Sequence, residues 1–139
     1  MFDLMLLTVA MRWVHLTSMA VLIGGMIFAR LVLTRSIATV SPESRDALAD
    51  KAAAAYKPLV IAAVFGSIVS GIYKFLLTTG HSPRYHMLFG LKMLLVLHVF
   101  SVAILIVQPR NPKRARMMTG LIVSGAVIIL ISAWLGKIF

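Results

Sequence analysis

Apolar residues run along this chain in long unbroken blocks, and the polar residues gather between them. The blocks cover approximately Met5–Leu33, Leu59–Thr78, Tyr85–Val107 and Met117–Phe139. A helix needs about 20 apolar residues to cover a hydrocarbon core of about 30 Å, and each block reaches that length. Prolines punctuate the pattern independently. Pro42, Pro58, Pro83, Pro109 and Pro112 all fall between blocks or at their edges, where a missing N–H costs little. The pattern therefore predicts an all-α, four-span membrane bundle forming one domain over residues 1–139. Composition agrees: 60% of residues are hydrophobic, 13% are charged and the mean hydropathy is +0.97, outside the range of a soluble domain.

The connecting segments differ in kind. Between the first two blocks, Ser41 stands as an N-cap, Pro42 as the first helical residue and Glu43 in the first turn, ahead of an alanine run. These signals predict a short helix of its own before Pro58. "TGHSPR" reads as a tight turn that carries His81, and "QPRNPKRAR" as a basic turn. At the N-terminus Asp3 occupies a place where a cleaved signal peptide is basic, and no small-x-small site follows, so the first block is expected to remain as a span.

The net charge of +10 raises nucleic acid as a partner, but its distribution points to lipid. With four spans, the first and third loops share a face. Those loops and their borders hold Arg30, Arg35, Arg45, Lys51, Lys57, Arg110, Lys113, Arg114 and Arg116, whereas the other face has Lys74, Arg84 and Lys137. By the positive-inside rule the basic face is cytoplasmic, against anionic headgroups. The expectation is a bacterial inner-membrane protein with both termini periplasmic and no nucleic-acid partner.

Small residues recur at helix-packing spacing: Gly66 with Ser70, Ser67 with Gly71, Gly120 with Ser124, Ser132 with Gly136. Close approach through such residues is the usual way helices associate in lipid. A dimer seam or the wall of a flat cofactor is the competing use.

Ionisable groups inside the spans need an explanation, because each must snorkel, pair or bind something. Arg12, His15, Lys92 and His98 are those groups, with His86 at the edge of the third span. Counting along the helices from the basic face puts His15 about 22 Å up, Lys92 about 25 Å and His98 about 16 Å. Arg12 and His15, three residues apart, share a side of their helix. Lys92 and His98, six apart, diverge by roughly 120°.

Two chemistries suit these residues. One is haem b, with His15 and His98 as axial ligands, Arg12 on a propionate, and Lys92 or Arg84 as its second basic partner. The macrocycle could also lie between two protomers of a homodimer, each contributing His15. The other is copper: Met11, His15 and Met19 lie four apart on one face, with Met26 two turns on, and thioether with imidazole suits Cu(I). Flexible packing is the ordinary use of methionine at this spacing. The acids Asp3, Glu43, Asp46 and Asp50 all lie outside the spans, so no carboxylate pair or hydrolytic triad can be assembled there and any redox chemistry belongs to a cofactor. With no cysteine, disulfides and thiolate metal sites are excluded.

"RWVHLTSMAVLIGGMIFARLVL", with Gly24 and Gly25 nine and ten residues after His15, resembles the first helix of CopD-like membrane proteins. These comprise the copper-resistance D domain and its distant relative, the HemJ-type protoporphyrinogen oxidase. "GLKMLLVLHVF" in the third span is similar to the HemJ pattern. The resemblance implies a four-helix membrane protein, haem b or copper handling, and His15 and Lys92 as the matching functional residues, with His98 matching loosely. Leu22 stands where the family pattern has tryptophan, and the Lys92 to His98 interval is short for it. The resulting expectation is a haem b protein for electron transfer, linked to quinone, a porphyrinogen or a periplasmic redox partner. Copper handling and a non-catalytic partner subunit are the alternatives.

Overall fold

The computed structural model describes residues 1–77, 80 and 82–135. These residues form four long helices: α1 (Phe2–Ile37), α2 (Pro42–Leu77), α3 (Pro83–Ile106) and α4 (Arg114–Leu135). Each is long and apolar enough to cross a membrane, and only 17% to 33% of each apolar stretch is buried in the bundle. Phe65, Leu94, Leu97 and Leu130 are among the large apolar side chains on the outside. A helix that is apolar all round but buried on one side alone has to face lipid on the other. The chain is a multi-pass membrane protein.

α1 packs chiefly on α2 and α3 on α4, while the second half of α1 leans across to α4. The first pair runs antiparallel, in a register that can be read from its side chains. Thr8 meets Tyr73, His15 meets Ser70, and the Val21 carbonyl meets Tyr56. The main core, around Leu22, Met26, Val60, Val99, Ala103, Ile106 and Leu121, lies toward the face formed by the two basic loops. Tyr85, Ile131 and Leu135 form a smaller cluster toward the face that carries the termini, where Phe75 stacks on Phe89 with ring centres 5.2 Å apart.

α1 is not regular throughout. It widens into π turns at Ala20–Gly24 and Ala29–Leu33. A π turn disturbs the ordinary i to i−4 bonding of carbonyls, and here hydroxyl groups compensate. The Tyr56 hydroxyl donates to the Val21 carbonyl, and the Thr34 hydroxyl to the Ala29 carbonyl at 2.8 Å. Gly25 admits the tyrosine, because a Cβ there would run into its ring and hydroxyl. Tyr56→Phe is expected to cost about 0.5–1.5 kcal/mol, checked by unfolding in a detergent mixture.

The separate short helix expected before Pro58 does not form. Residues from Pro42 to Leu77 make one helix, with Pro58 in its interior. Ser41 and Pro42 mark the start as predicted. Proline costs a helix about 3 kcal/mol through its missing donor and its ring, but the residues around it are tied to the bundle. Ala53 and Val60 are buried on either side, and Tyr56 is bonded to α1. Tertiary contact outweighs the local stop signal. The observed ends of the other helices lie within a few residues of the apolar blocks, while Thr78, His81 and residues 136–139, including Lys137, lie outside the described residues.

The small residues divide into those that set helix distance and those that do not. A Cβ on Gly66 would sit 2.6 Å from the Ser18 hydroxyl oxygen and 3.2 Å from Val14, and one on Gly125 would sit 3.2 Å from Ile23. Gly71 and Gly120 meet nothing within 4 Å. Gly66→Ala is therefore expected to destabilise by about 1–3 kcal/mol, and Ser18→Ala in the same chain to recover most of that. Equal stability of Gly66→Ala and the parent would refute the close approach.

Candidate functional site

The site around His15 is built by the antiparallel contact of α1 and α2. Nearer the terminal face, the Thr8 hydroxyl donates to the Leu4 carbonyl at 2.8 Å and lies 2.9 Å from the Tyr73 hydroxyl. Since the single threonine proton is already committed, Tyr73 donates to Thr8. Two turns further along, His15 Nδ1 lies 3.0 Å from the Ser70 hydroxyl oxygen. Ser70 is fully buried, and its own proton is directed at the Gly66 carbonyl, 2.7 Å away.

The shortest contact of the Ser70 hydroxyl, to the Gly66 carbonyl, assigns the tautomer. Ser70 has one hydrogen, and the backbone carbonyl holds it. Toward the ring, Ser70 can only accept, so His15 Nδ1 donates. In the neutral imidazole, Nε2 then carries the lone pair. A histidine whose second nitrogen is oriented by a hydrogen bond in this way is arranged as metal-ligating histidines are.

Basic residues lie near the ring. Lys74 of α2 and Lys92 of α3 are both within electrostatic reach of it, and Lys92 is half-buried. Arg12 stands exposed on α1, one turn toward the terminal face. Asp3 lies in the first turn of α1, about three turns beyond His15, and Asp50 pairs with Arg114 at 2.9 Å at the opposite end of the bundle, the one ion pair among the described residues. The site is thus one imidazole with cations above it, suited to a ligand with an electron-pair acceptor and negative charge.

His98 lies in different surroundings. It is exposed on α3 and lines a groove with Val102 of the same helix and Lys113, Arg116, Met117 and Gly120 of the α4 side. Lys92 and His98 look to different sides of α3, as their spacing requires. The two imidazoles share neither a hydrogen-bond partner nor a cavity. His86 is exposed, with its ring edge-on to Tyr85 at 6.0 Å, and Arg84 is exposed in the first turn of α3.

Of the methionines, Met11 is half-buried beside His15 on α1, Met19 packs against the main core, and Met26 is fully buried within it. A second cavity, of about 250 Å³, lies between the π turns of α1 and the start of α2, lined by Gly25, Ala29, Ala52, Ala53, Tyr56 and Met118 among others. Its lining is largely apolar, and its hydroxyls, Tyr56 and Thr34, are engaged with α1 carbonyls.

Ser70 and Lys74 are the site residues that sequence reasoning misses. Serine is unremarkable in a membrane helix, and Lys74 at the end of a span reads as an interfacial anchor. A comparison of depths could have found Ser70, since an antiparallel neighbour must present some residue at the height of His15. No family model, curated protein or solved structure matches this chain.

Proposed function

We propose that this chain binds haem b through His15 and serves electron transfer or redox chemistry in the bacterial inner membrane, with a quinone or a porphyrinogen as its reducing partner. The observation that carries the reading is the Ser70 hydroxyl, which holds the Nδ1 proton of His15 and leaves Nε2 to donate. A haem supplies the iron's equatorial nitrogens itself and asks the protein for one or two side chains. This fits a site in which, among the described residues, no three His, Asp or Glu side chains converge. Lys92 and Arg12 suit the two propionates, which need cationic or hydrogen-bonding partners at the edge of the bilayer. When bound, the haem supplies a one-electron couple. The protein's own part is to orient the ligand, neutralise the carboxylates and keep the centre in an apolar wall.

His98 is the second ligand candidate. Because it opens on the α3–α4 groove, pairing it with His15 calls for two copies of the chain, as does a centre with His15 from each protomer. A haem held by His15 alone needs one. The positive-inside distribution supports an orientation with the basic loops in the cytoplasm, both termini in the periplasm and the His15 site in the outer half of the bilayer.

The test is the visible spectrum of the chain purified in mild detergent, with metal content measured on the same sample. A Soret band that shifts on dithionite reduction, with iron near one per chain or one per two chains, supports the proposal. Copper without a Soret band would replace it with the Met11, His15 and Met19 reading, and a colourless, metal-free preparation after growth with added haem precursor would overturn both.

A further inference from the structure

We propose that the groove between α3 and α4 is a binding site for an anionic diacyl phospholipid of the leaflet that meets the basic loops. The groove has a volume of about 450 Å³ and runs along the outside of the bundle. Lys113 and Arg116 stand at its loop end, Met117, Val102 and Gly120 form its walls and floor, and His98 lines it deeper along α3. His98 is eight residues before the end of α3 at Ile106, which places it about 12 Å along the helix from its last residue. The groove therefore spans headgroup level and the upper part of the acyl region.

Charge and shape specify the occupant together. Among the described residues, the side chains of Lys113 and Arg116 have no acidic partner, since the ion pair of this face joins Arg114 to Asp50. Both are exposed, at the depth where lipid phosphates lie. Basic pockets between membrane helices at this level are suited to acidic headgroups. Below them Gly120 has open space above its Cα, with nothing within 4 Å of where a Cβ would be. The missing side chain deepens the groove where an acyl chain has to enter.

The 250 Å³ cavity beside the π turns has no such combination. Its polar groups are already bonded, Arg114 to Asp50 and to the carbonyls of Ile106 and Gln108, so it offers no charge to select a headgroup. The lipid site also stands apart from the His15 centre and does not depend on a haem being bound there.

Native mass spectrometry of the full chain, released from detergent after addition of dioleoyl phosphatidylglycerol or dioleoyl phosphatidylcholine, tests the proposal. The expected result is a retained phosphatidylglycerol adduct on the monomer and little phosphatidylcholine. At about a kcal/mol for each basic residue near the headgroups, the double variant Lys113→Gln/Arg116→Gln should bind phosphatidylglycerol roughly thirtyfold more weakly. The control Arg35→Gln/Lys51→Gln, which removes the same charge elsewhere on the basic face, should bind within about threefold of the parent. Gly120→Leu, which leaves every charge in place and fills the floor, should also weaken the adduct.

Equal loss in the two double variants would reduce the effect to diffuse attraction and overturn the site. So would equal retention of phosphatidylcholine, or an adduct unaffected by Gly120→Leu. Displacement of the lipid by millimolar inorganic phosphate would mean a site for a free anion instead. A mass of twice the chain that excludes lipid would mean that a second copy covers the groove.

Discussion

Replacing His15 by leucine should abolish the Soret band of the purified protein while leaving its helicity and unfolding midpoint close to those of the parent. The two outcomes are separable because of how the ring is held. The Ser70 proton goes to the Gly66 carbonyl within its own helix, 2.7 Å away, and not to His15. Losing the imidazole therefore orphans no buried donor, and leucine suits a half-buried place facing lipid and bundle. A structural histidine would behave in the opposite way, leaving any spectrum intact and lowering the midpoint. Ser70→Ala provides the graded version. It removes the acceptor that fixes the tautomer and so should weaken haem retention by 10–100-fold, the usual scale for loss of a ligand's orienting partner. Lys92→Gln should keep the iron ligand and raise the rate at which haem is lost to apomyoglobin, because a propionate partner has gone. If His15→Leu retains the full band, His15 is not the ligand and the assignment of the site fails.

The architecture was legible because bilayer thickness imposes one length on every span, and few sequences other than membrane helices keep an apolar run for that long. The same simplicity hides the rest. Pro58 carries a strong local stop signal, yet Ala53, Tyr56 and Val60 hold the helix through it. No window of sequence contains that contact with α1. The first π turn likewise has a carbonyl bonded from outside its helix, by a tyrosine 35 residues away. His15 and Lys92 stand out in the sequence because charge in lipid is conspicuous, and counting along the helices gives them similar heights. Ser70 escaped because its role exists only once two helices are in register. Chemistry alone pairs His98 with His15 in the sequence. The face of α3 it occupies, across from Lys113 and Arg116, becomes visible only when α4 is in place.

Arg114→Leu should be the most destabilising single replacement on the basic face. Its side chain is only 11% exposed, and its guanidinium ties three segments together. Nε donates to the Ile106 carbonyl at 2.9 Å, while one terminal nitrogen donates to the Gln108 carbonyl at 2.8 Å and to Asp50 at 2.9 Å. Ile106 ends α3, so the first of these bonds satisfies a helix-terminal carbonyl and places positive charge at the negative end of the helix dipole. At about 1.5–3 kcal/mol for a hydrogen bond to a charged group, losing the two carbonyl contacts costs on the order of 3 kcal/mol. Asp50 also accepts the Arg110 backbone N–H at 3.1 Å, where Arg110 takes a left-handed φ of 55°. That conformation disfavours a residue with a Cβ, and the carboxylate holds it in place. The bonds from Arg114 and Arg110 keep the Asp50 carboxyl below its usual range. The sign follows directly: a carboxylate with a depressed folded value adds stability above the unfolded pKa and loses it as pH falls through the folded one. The unfolding midpoint of the parent should therefore exceed that of Asp50→Asn at neutral pH, and the two should converge as the pH drops below about 4. In an Arg114→Leu background, the remaining bond to Arg110 should give Asp50→Asn a smaller effect and a convergence shifted to higher pH. A parent and an Asp50→Asn variant whose midpoints run parallel through the acid range would show that the carboxylate charge contributes nothing to holding this loop.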